Sequence, residues 1–176
     1  MDFFIDSGIV IGYSDTSPEE KFHEPSKKFA RKYPPKENGY YSMKYIIKEE
    51  IRSTERKRLE QRTKKVLKLF PQRAKIFCGY IKDVANRSHS PFDALFKQIY
   101  DHLMAVREDH KRKEHDAKLL TSAFIWAYED NTLQNPHFIT TDWTDICKNK
   151  PEIYDFATSC LSGNRLKIRF VIDFVS

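Results

Sequence analysis

The hydrophobic pattern of the chain predicts short buried strands that alternate with amphipathic helices. An apolar run over residues 3–5 stops at Asp6, which is typical of a buried strand followed by a carboxylate. Residues 40–42 and 137–140 predict two further short strands. Apolar and charged positions alternate over residues 166–174, which predicts a last strand with one solvent-facing side.

Apolar residues spaced by three or four positions predict the connecting helices. These helices are expected over residues 18–33, 43–70, 90–104, 115–128 and 151–161. Pro71 is expected to end the second helix. Ser90 is expected to cap the third helix with Pro91 at its first position, and Gly163 is expected to cap the end of the last one. Strands that alternate with helices predict a layered α/β fold with a mostly parallel sheet.

Composition favours one globular domain outside the membrane. The 176 residues are 40% hydrophobic and 32% charged, with a mean hydropathy of −0.66, and no apolar run approaches the length of about 20 residues that a membrane-spanning helix needs. Asp2 and Asp6 interrupt the first apolar stretch, so a signal peptide is not expected. The three cysteines form no C-x-x-C pair, which favours a reducing, cytoplasmic location.

Positive charge is concentrated in one segment of the chain. Residues 51–75 contain ten Lys or Arg and two Glu, whereas the remaining residues contain 21 basic and 23 acidic side chains. The segment predicts either a surface that binds a polyanion or an ordinary solvated helix face.

Five acidic residues lie where α/β folds place their ligand-binding and catalytic residues. Asp6 and Asp142 follow predicted strands, Glu49 and Glu50 lie in a helix that follows another strand, and Asp116 lies near the start of a helix. Ligands of open α/β sheets bind beyond the carboxyl ends of the strands, so these groups are expected to converge. Carboxylates this close repel one another, and Mg²⁺ or Mn²⁺ with oxygen ligands would resolve the conflict.

Simpler interpretations exist for each of these residues. A single aspartate after a strand is more often a helix cap or turn former, and Asp145 is expected to cap the turn that follows it. His110 and His115 are five residues apart, which does not suit a zinc pair on one helix face, so both are expected at the surface. Trp126 and Trp143 are expected to be packing residues.

Four segments, in order, resemble the PIN domain nuclease family. They are FFIDSGIVI over residues 3–11, IIKEEI over 46–51, DAKLLTSA over 116–123 and FITTD over 138–142. The resemblance implies a three-layer α/β/α sandwich with a mostly parallel central sheet, an acidic pocket that binds Mg²⁺ or Mn²⁺, and metal-dependent hydrolysis of RNA phosphodiester bonds.

The resemblance also assigns residues by position. The catalytic and metal-binding acids that it implies are Asp6, Glu50, Asp116 and Asp142. Glu50 is preferred to Glu49, the second choice, because Ile47 and Ile51 flank it at helical spacing. Ser7 and Thr140 match small hydroxyl positions that orient the acids. The basic residues assigned to RNA binding are Arg52, Arg56, Arg58, Arg62 and Lys65.

The predicted organisation is a single PIN-like domain over residues 1–176 with a basic helical insertion at about 52–112. RNA is the implied substrate, and a homodimer or an antitoxin-like partner protein stays open. A phosphatase with an aspartate nucleophile would need a second acid where Gly8 stands. A PIN-like module that binds RNA or protein without cleaving it is the alternative function.

Overall fold

Five parallel strands form the centre of the protein in a computed structural model that describes residues 1–17, 20–60, 69–84, 90–106 and 110–176. The strands are β1 (Asp2–Ile5), β2 (Gly39–Ser42), β3 (Ile81–Asp83), β4 (His137–Thr140) and β5 (Lys167–Phe170). Their order in the sheet is β3-β2-β1-β4-β5, and every neighbouring pair is parallel. The chain therefore has an α/β fold with β1 at the centre of the sheet.

Helices connect the strands. They are α1 (Ser7–Ser14), α2 (His23–Lys32), α3 (Lys44–Glu60), α4 (Phe70–Tyr80), α5 (Ser90–Val106), α6 (His110–Glu129), α7 (Lys150–Leu161) and α8 (Val171–Val175), with a π-helical turn at Trp143–Cys147 between β4 and α7. Parallel strands require such crossovers because the chain must return to the same edge of the sheet before each new strand.

The two faces of the sheet carry separate hydrophobic clusters. Phe4 pairs in register with Phe138, and both belong to a cluster with residues of α5, α6 and α7. Phe3 and Ile139 belong to a second cluster with residues of α1, α2 and α4. Burial on both faces explains why the central strands are apolar without alternation. This arrangement is compatible with a three-layer sandwich.

Several predicted boundaries in the first half of the chain were wrong. The helix expected from residue 18 begins at His23, and residues 18 and 19 lie outside the described part of the chain. Pro71 lies in the first turn of α4 and does not end a helix, because a proline at the start of a helix loses no hydrogen bond. The expected helix over 43–70 is described only as far as Glu60, since residues 61–68 lie outside the description.

The second half also departs from the pattern. The cap expected at Ser90 involves a side chain outside the description, and α6 begins at His110, five residues earlier than expected. The α7 helix ends at Leu161, and its C-cap is Ser162, in the left-handed conformation with φ 55°, whereas Gly163 was expected to be the cap. The last predicted strand stops at Phe170, and α8 follows because Phe174 turns inward to pack against other rings.

Candidate active site

Acidic side chains from four separate segments line one cleft at the carboxyl edge of the sheet. The cleft has a volume of about 510 Å³, and besides Glu20 the acids that line it are Asp6, Glu49, Glu50, Asp116 and Asp142. They come from the end of β1, from α3, from α6 and from the loop after β4. The sequence therefore identified the acids that lie together.

Asp6 connects β1 to α1 and points into this cleft. It occupies the N-cap position of α1 but makes no side-chain capping hydrogen bond. Its carboxylate accepts hydrogen bonds from Ser7 Oγ at 3.2 Å and from Thr140 Oγ1 at 2.7 Å, so both predicted hydroxyls contact an acid. Burial, together with the charges of Glu50 and Asp142, raises the pKa of Asp6 although the Thr140 hydrogen bond opposes the change.

Gly8 allows α1 to approach the loop after β4. A Cβ atom at this position would collide with the Thr141 side chain. The glycine that argues against an aspartate-nucleophile phosphatase thus has a packing role, because the close contact keeps Asp6 near Asp142.

Glu50 is held by two hydrogen bonds. Its Oε2 accepts from Ser7 Oγ at 2.6 Å, and its Oε1 lies 3.0 Å from His115 Nδ1. Burial alone would raise the pKa of Glu50, but the hydrogen bonds from His115 and Ser7 and the nearby positive charges outweigh it and lower the pKa. Glu49 is more exposed, and its Oε2 lies 3.5 Å from His115 Nε2. Both glutamates thus face the cleft, and Glu50 is the more tightly held.

The expectation that His115 lies at the surface was wrong. His115 is buried and lines the cleft between Glu49 and Glu50. Nothing in the local sequence signalled this position, because adjacent residues of a helix point in different directions and only the packing of α6 against α3 buries His115. The side chain of His110 lies outside the description.

The surroundings of Asp116 stabilise its negative charge poorly. It lies in the second turn of α6 and is 7% exposed. Its Oδ2 atom has no hydrogen-bond partner within the described part of the chain, and the nearest ammonium, Lys113 Nζ, is 3.9 Å away. Burial and the charges of Asp6 and Glu50 raise the pKa of Asp116 well above its usual value. A helix cap therefore does not explain this residue.

Asp142 both caps a turn and lines the cleft. Its Oδ1 accepts a hydrogen bond from the Asp145 backbone N–H at 2.8 Å, and its own backbone N–H donates to Thr140 Oγ1 at 2.9 Å. The Arg112 guanidinium lies 3.9 Å from Asp142 Oδ2. The cap interpretation is correct here, but the capped turn also fixes the carboxylate at the cleft.

A buried ion pair behind the acids was missed by the sequence analysis. Lys113 is fully buried, and its ammonium donates to Asp145. Asp145 was expected to cap the turn that follows it. Its carboxylate instead pairs with Lys113, and its backbone N–H donates to the Asp142 carboxylate. The pair joins α6 to the turn after β4. It therefore connects the elements that carry Asp116 and Asp142.

The basic residues assigned to RNA binding occupy different environments. Arg56 lines the cleft together with Lys57 and Lys21, and Arg52 is exposed. Arg58 forms ion pairs with Asp15 at 3.0 Å and Glu20 at 3.5 Å, so it joins α3 to the segment between α1 and α2. Arg62 and Lys65 lie outside the described residues.

The acids suit a hard cation by chemistry, although they do not form a closed site as they stand. No group of three or more His, Cys, Asp or Glu side chains in the described ranges has the arrangement of a metal site. The carboxylates supply only oxygen donors, which Mg²⁺ and Mn²⁺ prefer. The unpartnered Oδ2 of Asp116, buried beside like charges, is the atom whose environment a cation would improve most.

Comparisons of the chain with protein-family models, curated proteins and solved structures find no match. Within the described residues, no helix is long and apolar enough to cross a membrane. The function of the chain is therefore inferred from the geometry and chemistry of the cleft.

Proposed function

We propose that this chain is a PIN-like nuclease that hydrolyses RNA phosphodiester bonds with Mg²⁺ or Mn²⁺. The observation that supports it most strongly is the convergence of Asp6, Glu50, Asp116 and Asp142 from four segments into one cleft. Two of these acids, Asp6 and Asp116, are buried at a cost that their neighbours do not offset. Strongly perturbed acids in a cleft are typical of functional sites.

The four acids form one set of cation ligands in this proposal. Asp6, Asp116 and Asp142 hold the cation, and Glu50 completes the set while Ser7 and His115 fix its orientation. A bound Mg²⁺ or Mn²⁺ supplies a water of lowered pKa and stabilises negative charge on phosphate oxygens. No side-chain nucleophile is required.

Cationic residues of the same cleft bind the RNA backbone. Arg56, Lys57 and Lys21 line the same cleft as the acids. Phosphate contacts of this kind provide affinity without selecting bases, and they weaken as salt rises.

A non-catalytic RNA- or protein-binding module is the second candidate. The observation in its favour is that the acids of the described chain do not stand as a ready-made metal site. The nuclease should cleave RNA when Mn²⁺ or Mg²⁺ is present, whereas the binding module should not cleave RNA with either ion.

Cleavage of a labelled single-stranded RNA tests the proposal. The wild-type protein should cleave with Mn²⁺ or Mg²⁺ and not with EDTA. Asp6→Asn should lower the rate by about 10²-fold or more, because it weakens the hold on the cation that would stabilise the developing negative charge.

Asp2→Asn is the matched control, since Asp2 lies at the other end of β1 and accepts a hydrogen bond from the Gln134 backbone N–H at 2.8 Å. It should cleave like the wild type. Equal activity of Asp6→Asn and wild type would refute the assigned site, and no metal-dependent cleavage by any preparation would favour the binding module.

A further inference from the structure

A tryptophan beside the acidic cleft is half exposed to solvent. Trp143 directly follows Asp142, and 51% of it is exposed, whereas Trp126 is 7% exposed and packs in the core. The expected packing role therefore holds for Trp126 but explains only one side of Trp143. Because Trp143 directly follows an acid that lines the cleft, its flat exposed ring offers a stacking surface close to that cleft.

The turn that positions Asp142 also fixes Trp143. Trp143 begins the π-helical turn that Asp142 caps, and its carbonyl accepts a hydrogen bond from the Lys148 N–H at 2.8 Å. The indole ring packs against Phe170 with the ring centroids 5.4 Å apart and an angle of 61° between the planes. The exposed ring thus has a defined position relative to a site acid.

An aromatic row connects Trp143 with the cleft. Phe22 lines the cleft, and its ring packs edge to face on Phe170 with centroids 6.0 Å apart. Phe170 in turn contacts Trp143. Phe22, Phe170 and Trp143 therefore form a continuous row of rings from the cleft wall to the surface next to Asp142.

We propose that Trp143 is a nucleobase-stacking subsite for single-stranded RNA. This proposal rests on the proposed function, because it takes the acidic cleft as the position of the scissile phosphate. One unpaired base beside that phosphate stacks on the exposed side of the indole, while the cationic wall of the cleft holds the backbone. A duplex does not offer this contact, since its base faces are covered by the neighbouring base pairs.

Three features favour a nucleobase over another occupant of this surface. The exposed surface is that of a large flat ring, the ring belongs to the residue that directly follows Asp142 of the cleft, and the same cleft carries Arg56 and Lys57 for phosphate contacts. Aromatic platforms together with a cationic groove are the usual means of binding single strands without sequence preference.

The test measures binding of a labelled decauridylate in EDTA at low salt, so that the strand stays intact. Trp143→Ala should weaken binding by about 5- to 150-fold, the loss expected for one stacked base. Trp143→Phe should recover most of the affinity. The matched control is Tyr128→Ala, because Tyr128 is 49% exposed at the far end of α6, and it should bind like the wild type.

Two further readouts separate stacking from a general structural effect. The chain has two tryptophans, so the strand should quench fluorescence in the wild type and in Trp126→Phe but not in Trp143→Phe. The salt dependence of binding should be unchanged in Trp143→Ala and reduced in Lys57→Ala, since only the lysine contacts a phosphate.

The outcomes distinguish this proposal from the proposed function. Binding with quenching, but without Mn²⁺-dependent cleavage of the same RNA, would support the stacking subsite and refute the nuclease. Metal-dependent cleavage with Trp143→Ala binding as tightly as Tyr128→Ala would refute the subsite and leave the nuclease standing. Absence of any binding by the wild type would overturn the subsite as well.

Discussion

Aspartates at the two edges of the sheet have opposite electrostatic environments. At the amino edge, Asp2 accepts a hydrogen bond from a backbone N–H. Asp130, just past α6, accepts hydrogen bonds from the N–H and hydroxyl of Thr132, which lower its pKa. At the carboxyl edge, Asp6 directly follows β1 and Asp116 lies in α6. Burial and neighbouring acids raise the pKa of each.

The proposed function accounts for this difference, because it makes the acids at the carboxyl edge ligands of a cation and leaves those at the amino edge a structural role. In the folded protein, hydrogen-bond donors stabilise the negative charge of the aspartates at the amino edge. Those at the carboxyl edge are buried with like charges and with too few donors, which costs free energy of folding. A protein retains such an arrangement where activity depends on it, at the expense of stability.

Removal of the buried ammonium should have the largest effect on stability. Lys113→Met leaves Asp145 buried without its partner and adds to the excess of negative charge beside Asp116. We expect the free energy of unfolding to fall by about 3–5 kcal/mol, measured by urea denaturation.

Arg165→Met is the control at the amino edge. Arg165 is exposed and donates to the Leu133 carbonyl at 3.0 Å, so its loss should cost about 1 kcal/mol or less. A cost of Lys113→Met as small as that of Arg165→Met would show that Lys113 does not offset the buried acids.

Removal of one acid at each edge should move stability in opposite directions. Without added metal, Asp116→Asn relieves a buried charge and should raise Tm, whereas Asp130→Asn loses a charged acceptor and should lower it. For a chain of this size, a change of 1 kcal/mol corresponds to about 2–4 °C. Differential scanning calorimetry in EDTA measures both, and a lower Tm for Asp116→Asn would contradict the account of this site.

The pH dependence of these two differences sharpens the comparison. Asp116 ionises near 3.8 when unfolded and at a higher pH when folded, so its penalty is full above the folded pKa and shrinks as the pH falls toward 3.8. Asp130 has a lowered pKa, so its contribution is present above 3.8 and is lost only below it. As the pH falls through the folded pKa of Asp116 toward 3.8, the gain in Tm from Asp116→Asn should therefore decrease while the loss in Tm from Asp130→Asn stays constant.

The sequence was sufficient for features in which local pattern and tertiary environment agree. The runs at 3–5 and 137–140 are buried on both faces, so their composition alone predicts strands. β3 was missed because it has three residues, of which Lys82 and Asp83 are exposed, and so it shows no pattern. α8 was predicted as strand because its apolar residues also fit alternation.

The acids of the site and the hydroxyls of Ser7 and Thr140 could be predicted, but the buried Lys113 and His115 beside the acids could not. An acid after a buried strand is recognisable because the edge of a parallel sheet is defined by chain direction. Lys113 and His115 read as surface residues of a charged helix, and only the packing of α6 against the turn after β4 and against α3 buries them. The exposure of Trp143 is likewise set by tertiary structure, since an exposed and a buried tryptophan have the same local sequence signals.

Anomalous diffraction from crystals soaked in Mn²⁺ tests the central claim most directly. If the acids at the carboxyl edge form a cation site, a strong peak should lie between the carboxylates of Asp6 and Asp116, with their side chains moved toward it, and it should be absent in Asp116→Asn. An ordered cleft with no peak at these carboxylates, or a peak that persists in Asp116→Asn, would contradict the account.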